Sequence, residues 1–215
     1  MPEPTIVRDE ADIVLIGAFN PAIFQPKWFQ GHKLIQDTEA DAAQIEVIHN
    51  EITIFSLKWV RFEITRNSFV ARSNDPSHFD PLRDIVVSVF QLLEHTPISK
   101  IGLNHNIFFK LQSEDAWHQI GHTLAPKEIW MKYLKNPGLK NLTIEASRND
   151  DFQGYINVTI QPPTRNVVSI AINDHYEIGN GDGRNASDIV TTQWRSSIDY
   201  ALELAKSIYK DAVKP

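Results

Sequence analysis

Residues 60–65 read Val60-Arg61-Phe62-Glu63-Ile64-Thr65, and this run decides the fold class. Phe62 and Ile64 alternate with Arg61 and Glu63, the period of two that buries one face of a strand and wets the other. A strand of that kind belongs to an antiparallel sheet with one covered face, because strands of parallel sheets are apolar on both. Arg66-Asn67-Ser68 is a plausible tight turn, and Phe69-Val70-Ala71 resumes the pattern, so the segment predicts a hairpin.

Working outward toward the N-terminus, Ile45, Val47, Ile52, Ile54, Phe55 and Leu57 mark a further strand region. Residues 37–43 are acidic and small and predict an exposed loop. Ile23, Phe24, Trp28 and Phe29 suggest short helical turns, with Pro26 barring a long helix. Residues 12–19 read as a strand stopped by Asn20-Pro21.

Toward the C-terminus, Asp80 suits a helix N-cap and Pro81 the first helical position. Leu82, Ile85, Val86, Val89, Leu92 and Leu93 supply the apolar stripe, and His95-Thr96-Pro97 ends it. Residues 98–111 predict a strand carrying Phe108-Phe109. Ser113 can cap a helix bearing Trp117, Ile120 and Leu124, which Pro126 breaks before residues 127–134 resume. Residues 142–147, 155–161 and 167–172 predict three strands, and Pro162-Pro163 place the end of the middle one at an edge or turn. The last helix, residues 187–210, aligns Ile189, Val190, Trp194, Ile198, Ala201, Leu202, Ala205 and Ile208 on a face that needs covering.

The expected fold is therefore α+β, an antiparallel sheet with helices packed on one face. The elements run β-α-β-β-α and then β-α-β-β-β-α. Ile16-Gly17 and Ile101-Gly102 open the two series, and each is followed by Asn, Ile and Phe and then a helix with a Trp, Trp28 or Trp117. This predicts two pseudo-repeated β-α-β-β-α halves, 1–110 and 111–215, sharing one body.

The order of elements over residues 45–110 resembles a sporadically distributed bacterial family of uncharacterised proteins. The residues concerned are Phe62-Glu63-Ile64-Thr65-Arg66-Asn67-Ser68-Phe69, the helix over residues 81–95, and Ile101-Gly102-Leu103-Asn104-His105-Asn106. The opening Leu15-Ile16-Gly17-Ala18-Phe19-Asn20-Pro21 departs from that family's usual start. The family has no established activity, so the resemblance carries over no catalytic residue. Its patchy distribution implies an accessory role in stress or in defence against mobile elements.

The 215 residues carry 21 basic and 27 acidic groups, a formal charge of −6. Residues 1–110 hold 10 basic and 14 acidic groups and residues 111–215 hold 11 and 13, so neither half is a basic module. Phosphate neutralisation dominates nucleic-acid affinity, which makes that partner unlikely on charge. A weaker nucleic-acid possibility is a sheet face with Lys58, Arg61 and Arg72. The absence of cysteine excludes disulfides, thiolate zinc sites, iron–sulfur clusters and a Cys nucleophile. Met1-Pro2-Glu3-Pro4 lacks the basic start of a signal peptide, and the apolar runs are too short to span a bilayer. A cytoplasmic protein without membrane partners is the expectation.

Three constellations could carry chemistry. His118 and His122 stand at i and i+4 with Asp115 three residues before His118, a spacing that could hold a divalent transition metal. Gln119 occupies the place of a zincin's general-base Glu, so hydrolysis is disfavoured. Asn104, His105 and Asn106 interrupt an apolar strand, with alternation sending His105 to the face opposite the two amides. The glycine-rich residues 174–184 predict a flexible connection through which Asp182 and Arg184 could meet a partner or an anion. Asp150-Asp151 reads as a solvated turn. With no catalytic constellation and many aromatics, the function expected is a non-enzymatic interaction or assembly protein, with self-association or a protein partner. The alternative is metal or small-ligand binding at the His118/His122 helix.

Overall fold

The computed structural model describes residues 4–214, so the Met1–Glu3 start lies outside the described residues. Nine strands form one antiparallel sheet: β1 (Thr5–Gly17), β2 (Gln44–Ile48), β3 (Ile52–Ser56), β4 (Arg61–Thr65), β5 (Ser68–Ser73), β6 (Ile98–Lys110), β7 (Leu142–Ser147), β8 (Gly154–Thr164) and β9 (Val167–Glu177). Their order is β2-β3-β4-β5-β1-β6-β9-β8-β7, which confirms the α+β class and the antiparallel sheet. The two longest strands, β1 and β6, sit side by side at the centre, with Ile13 opposite Leu103 and Ala11 opposite His105.

The helices lie on one face. They are α1 (Pro26–Gly31), α2 (Asp37–Asp41), α3 (Phe79–Leu92), α4 (Glu114–Leu124), α5 (Glu128–Met131) and α6 (Gly183–Ala212). Strand alternation explains why. Ala11, Ile13 and Leu15 of β1, Ile101, Leu103 and Ile107 of β6, and Ile170 and Ile172 of β9 are buried under the helices. Their neighbours in sequence point to the other side.

Two cores form beneath that layer. The first joins Phe55, Phe62 and Phe69 to Phe29, Leu82, Phe90, Val190 and Trp194. The second joins Ile107, Phe109, Ile160 and Ile170 to Ile120, Ala201, Ala205 and Tyr209. α6 contributes to both, its first half to one and its second half to the other. At 1.5 Å per residue it is about 45 Å long, enough to strap the two halves together.

α6 begins at Gly183, four residues before the predicted start, with Asp182 as N-cap accepting from the Asn185 N–H. Gly183 is required by packing. A Cβ there would collide with the carbonyl oxygens of Leu93 and Phe90, where the end of α3 meets the start of α6. Residues 178–182 are not the loose connection expected, since Ile178 N–H donates to the Ser99 carbonyl at 2.8 Å and Ile98 N–H to that of Gly181 at 3.1 Å.

Other differences have local causes. Residues 37–41 are helical because Gln36 and Glu39 form a reciprocal capping box. α3 starts at Phe79 because a 3₁₀ turn, Pro76–His78, feeds it, and Asp75 rather than Asp80 caps that turn. Pro81 then falls within the first helical turn, where its missing N–H costs nothing. The first half carries four strands after its short helices where two were counted, so the β-α-β-β-α pattern is too short there. Ser113 does cap α4, accepting from the Ala116 N–H at 3.1 Å.

Trp194 is fully buried in the first core near the middle of α6. Trp194→Ala is expected to cost about 3–5 kcal/mol, read as a shift in the denaturant midpoint. A shift equivalent to under 1 kcal/mol would mean that α6 does not hold the two halves as described.

Candidate interaction surface

The face of the sheet turned away from the helices has no layer over it among the described residues. The register places one row of residues across all nine strands: Gln44, Ser56, Arg61, Arg72, Asp12, Asn104, Asn173, Asn157 and Glu145. Every member is polar. At about 4.8 Å per strand the row is about 38 Å long.

Its centre is a hydrogen-bonded chain. Arg72 Nε donates to Asp12 Oδ2 at 3.1 Å, and Asn104 Nδ2 donates to Asp12 Oδ1 at 2.5 Å. Asn173 Nδ2 donates in turn to Asn104 Oδ1. Arg61, next to Arg72, is held by Glu46. That guanidinium, through its hydrogen bond, keeps the Glu46 carboxyl below the usual carboxylate range. The one charge at the half-buried centre, Asp12, is met by Arg72 and an Asn104 amide, as desolvation requires.

Gly102 makes the chain possible. A Cβ there would stand 3.0 Å from Asn173 Nδ2 and 3.5 Å from Asn104 Oδ1, so the Asn173 amide lies over the glycine. Beside it, Tyr155 stacks on His175 with ring centroids 4.3 Å apart. His175 Nε2 meets Glu177 Oε1 at 3.0 Å, and Lys100 Nζ donates to the same oxygen at 3.0 Å. These two partners, His175 first, lower the Glu177 pKa. Toward the other end of β6, Arg8 lies over the Phe108 ring at 3.6 Å from its centroid. Two amide oxygens on this face, of Asn106 and Asn157, are shielded without a partner.

The interaction residues read from the sequence are thus divided. Asn104 and Asn106 are on the open face, and His105 faces the helices, as alternation required. His105 is 2% exposed, with Nε2 2.5 Å from Asp9 Oδ1 and its ring edge-on to Phe79. It lies on β6 between Leu103 of the first core and Ile107 of the second. Asp182 and Arg184 are elsewhere, at the start of α6, beside the Ile98 end of β6. Arg184 is taken by Glu94, and the Asp182 carboxylate fills the N-cap, so that helix start is not set up for an anion.

Asp115, His118 and His122 lie on α4. His118 packs against Trp117 and is 3.8 Å from Glu114 Oε1. Among the described residues no three His, Cys, Asp or Glu side chains are grouped to hold a metal.

The sequence did not point to Arg148. Its side chain is 5% exposed and makes ion pairs with Asp150 and Asp174. Its guanidinium lies 3.8 Å above the Tyr176 ring, and Tyr176 Oη donates to Asp174 Oδ2 at 2.8 Å. Burial opposes the arginine's charge, but the Asp150 and Asp174 carboxylates outweigh it and raise its pKa. Burial, and then the Asp174 carboxylate, push the Tyr176 phenol up. Asp150 is thus exposed in a turn, as expected, but its carboxylate is engaged by Arg148. It closes a clasp that pins the β7–β8 connection to the helix-covered side. No signal in Arg148-Asn149-Asp150-Asp151 announced this, because the decisive partner is 26 residues away.

No protein-family model matches the chain, and no curated protein matches it. Among the described residues no helix is long and apolar enough to cross a membrane.

Two expectations follow. Gly102→Ala should push Asn173 off Asn104 and cost about 1–2 kcal/mol. Combined with Asn173→Ala, its effect should be less than additive in denaturant midpoints, because both break one link. Full additivity would show that the amide chain is not coupled. Arg148→Met should cost about 3–5 kcal/mol at neutral pH, since it leaves the Asp174 carboxylate buried without its cation. Arg148, by its hydrogen bonds, holds the Asp150 pKa below the ordinary value. A lowered carboxylate pKa stabilises the fold above about pH 4, and this is lost as the pH falls through the folded value. The gap between wild type and variant should therefore narrow in acid, and a gap constant from pH 7 to 3 would contradict the clasp.

Proposed function

We propose that the chain is a non-enzymatic association protein whose open sheet face is covered by another polypeptide, a partner or a second copy. The observation that carries this is the polar row across nine strands, built and hydrogen-bonded without a covering layer. Sheets with one face packed on helices can leave the other to solvent, but solvent does not need a row joined by side-chain bonds. Half-buried Val14, Val70 and Ile54 lie in the adjoining row, giving the mixed character of protein interfaces. The shielded oxygens of Asn106 and Asn157 would gain donors from a chain lying on this face.

The charges support protein over nucleic acid. Arg61, Arg72 and Lys100 are each paired with a carboxylate, of Glu46, Asp12 and Glu177. Little net positive charge is left for phosphates. The biological setting that fits is the accessory role implied by the family resemblance.

Arg72→Glu and Thr159→Arg alter this face without touching either core. Each should weaken the wild-type association by at least about tenfold, measured as mass against concentration by sedimentation with and without the co-purified partner. Melting should hardly change for Thr159→Arg, which breaks no ion pair, and should fall modestly for Arg72→Glu, which leaves Asp12 without its cation. A wild-type mass of one chain at every concentration, with no partner retained, would overturn the proposal.

A further inference from the structure

We infer that the outer edge of β7 and the groove beside it form a second docking site, for an acidic, apolar-anchored segment of a partner protein in extended conformation. This goes beyond the open face and uses different residues.

Three observations converge on it. First, β7 pairs only with β8, so its outer row of backbone N–H and C=O groups has no strand partner. Free edges invite pairing, and folds usually blunt them with bulges, prolines or inward charges. The opposite edge, β2, has such an irregularity between Ile45 and Val47. β7 has none over Leu142–Ser147 and contains no proline, so its edge remains regular and receptive.

Second, apolar side chains of β7 and of the segment leading to it face solvent. Ile129, Trp130, Met131, Tyr133, Leu134 and Ile144 are all more than half exposed, Tyr133 the most at 81%. Of these, Trp130 and Leu134 line a groove at the start of β7 and Ile144 stands on β7 itself, so exposed apolar side chains border the strand. Trp130, Leu134, Leu139 and Leu142 line an open groove of about 520 Å³ that begins where β7 begins.

Third, the groove is cationic on a chain whose net charge is −6. Residues 127–140 contain Lys127, Lys132, Lys135 and Lys140 against Glu128 alone, so 4 − 1 gives +3. Lys127 and Lys140 line the groove itself. None of the four lysines has a carboxylate partner among the described residues, unlike the paired cations of the open face.

Together these features define the occupant. A strand edge is satisfied only by backbone donors and acceptors in register, which a polypeptide has and a lipid surface lacks. The exposed aromatic and aliphatic side chains call for apolar anchors, and the lysines for carboxylates. A second copy bound by a two-fold axis through this groove would set its unpaired Lys127 and Lys140 against their own copies, which disfavours it. An acidic extended segment meets all three requirements, adding a tenth strand and burying Trp130.

The test uses the full chain and a synthetic peptide alternating isoleucine and threonine with glutamates at both ends. A control peptide has lysines in place of the glutamates. Binding is followed by Trp fluorescence and by amide exchange over residues 142–147. The acidic peptide is expected to bind, to slow exchange in β7, and to weaken as salt rises. Ile144→Lys, which blunts the edge, and the double variant Lys127→Glu/Lys140→Glu, which reverses the two lysines lining the groove, should each cut affinity at least tenfold with unchanged melting. Arg72→Glu on the open face should leave peptide binding intact, so failure here is separable from failure of the function proposed above. Equal binding of the lysine peptide, binding without β7 protection, or no binding would overturn the inference. So would sedimentation with phosphatidylglycerol vesicles, or doubling of mass, if abolished by the same lysine reversals in a chain that ignores the peptide.

Discussion

The antiparallel pairing of β1 with β6 is the constraint on which the rest of the molecule depends. These two strands run the length of the sheet together, from Ile16 opposite Lys100 to Thr5 opposite Lys110. Outward from them the remaining strands follow in descending order, β5-β4-β3-β2 beside β1 and β9-β8-β7 beside β6. Without that seam there would be two separate sheets, of five and four strands, and no continuous face for one helix to cross. With it, a single helix can cross both cores, and α6 does so. The glycine at its start lets it approach α3 closely enough to close the first core. At the seam itself the helix-facing side holds one polar contact, His105 with Asp9, between apolar neighbours on both strands.

The same seam determines what the open face can be. Covering one side with helices commits alternate residues of every strand to the other. In register, those residues fall into rows, and one row is polar from edge to edge. The Asn173 amide lies close over Gly102, 3.0 Å from where a Cβ would stand, so backbone and side chains of the row are fitted closely to each other. On the β7 side, by contrast, helical cover runs out. The clasp of Arg148 on Asp150, Asp174 and Tyr176 secures the turn there, but β7 itself keeps a free edge and exposed apolar flanks.

The local periodicities were legible in the sequence. The alternation at Phe62 and Ile64 pointed to the one-sided antiparallel sheet, and the stripe of Val190, Trp194 and Ile198 to the long helix. Alternation also separated His105 from Asn104 and Asn106. Long-range partners were hidden. Residues 5–11 did not look like strand because Arg8, Asp9 and Glu10 interrupt the pattern, yet Arg8 lies over Phe108 and Asp9 meets His105, both about a hundred residues away. β9 continues through Asn173, Asp174 and His175 for the same reason, since each polar group is satisfied across the sheet. The polar row is a property of register, and no single stretch of chain contains it. Conversely, Asp182 and Arg184 looked available because the sequence does not show the capping bond and the Glu94 pair that occupy them.

The central claim is that a polypeptide covers the open face of this sheet. Because the chain has no cysteine, single substitutions can report on that directly. Thr159→Cys places a thiol on the open face, and Tyr200→Cys places one on the exposed side of α6. Labelling with a maleimide would be compared between the protein in its cell extract and the purified chain at high dilution. The account predicts that the Thr159→Cys thiol is protected in the extract and reacts once diluted, while the Tyr200→Cys thiol reacts equally in both. Equal labelling of the open-face thiol in both conditions would contradict it.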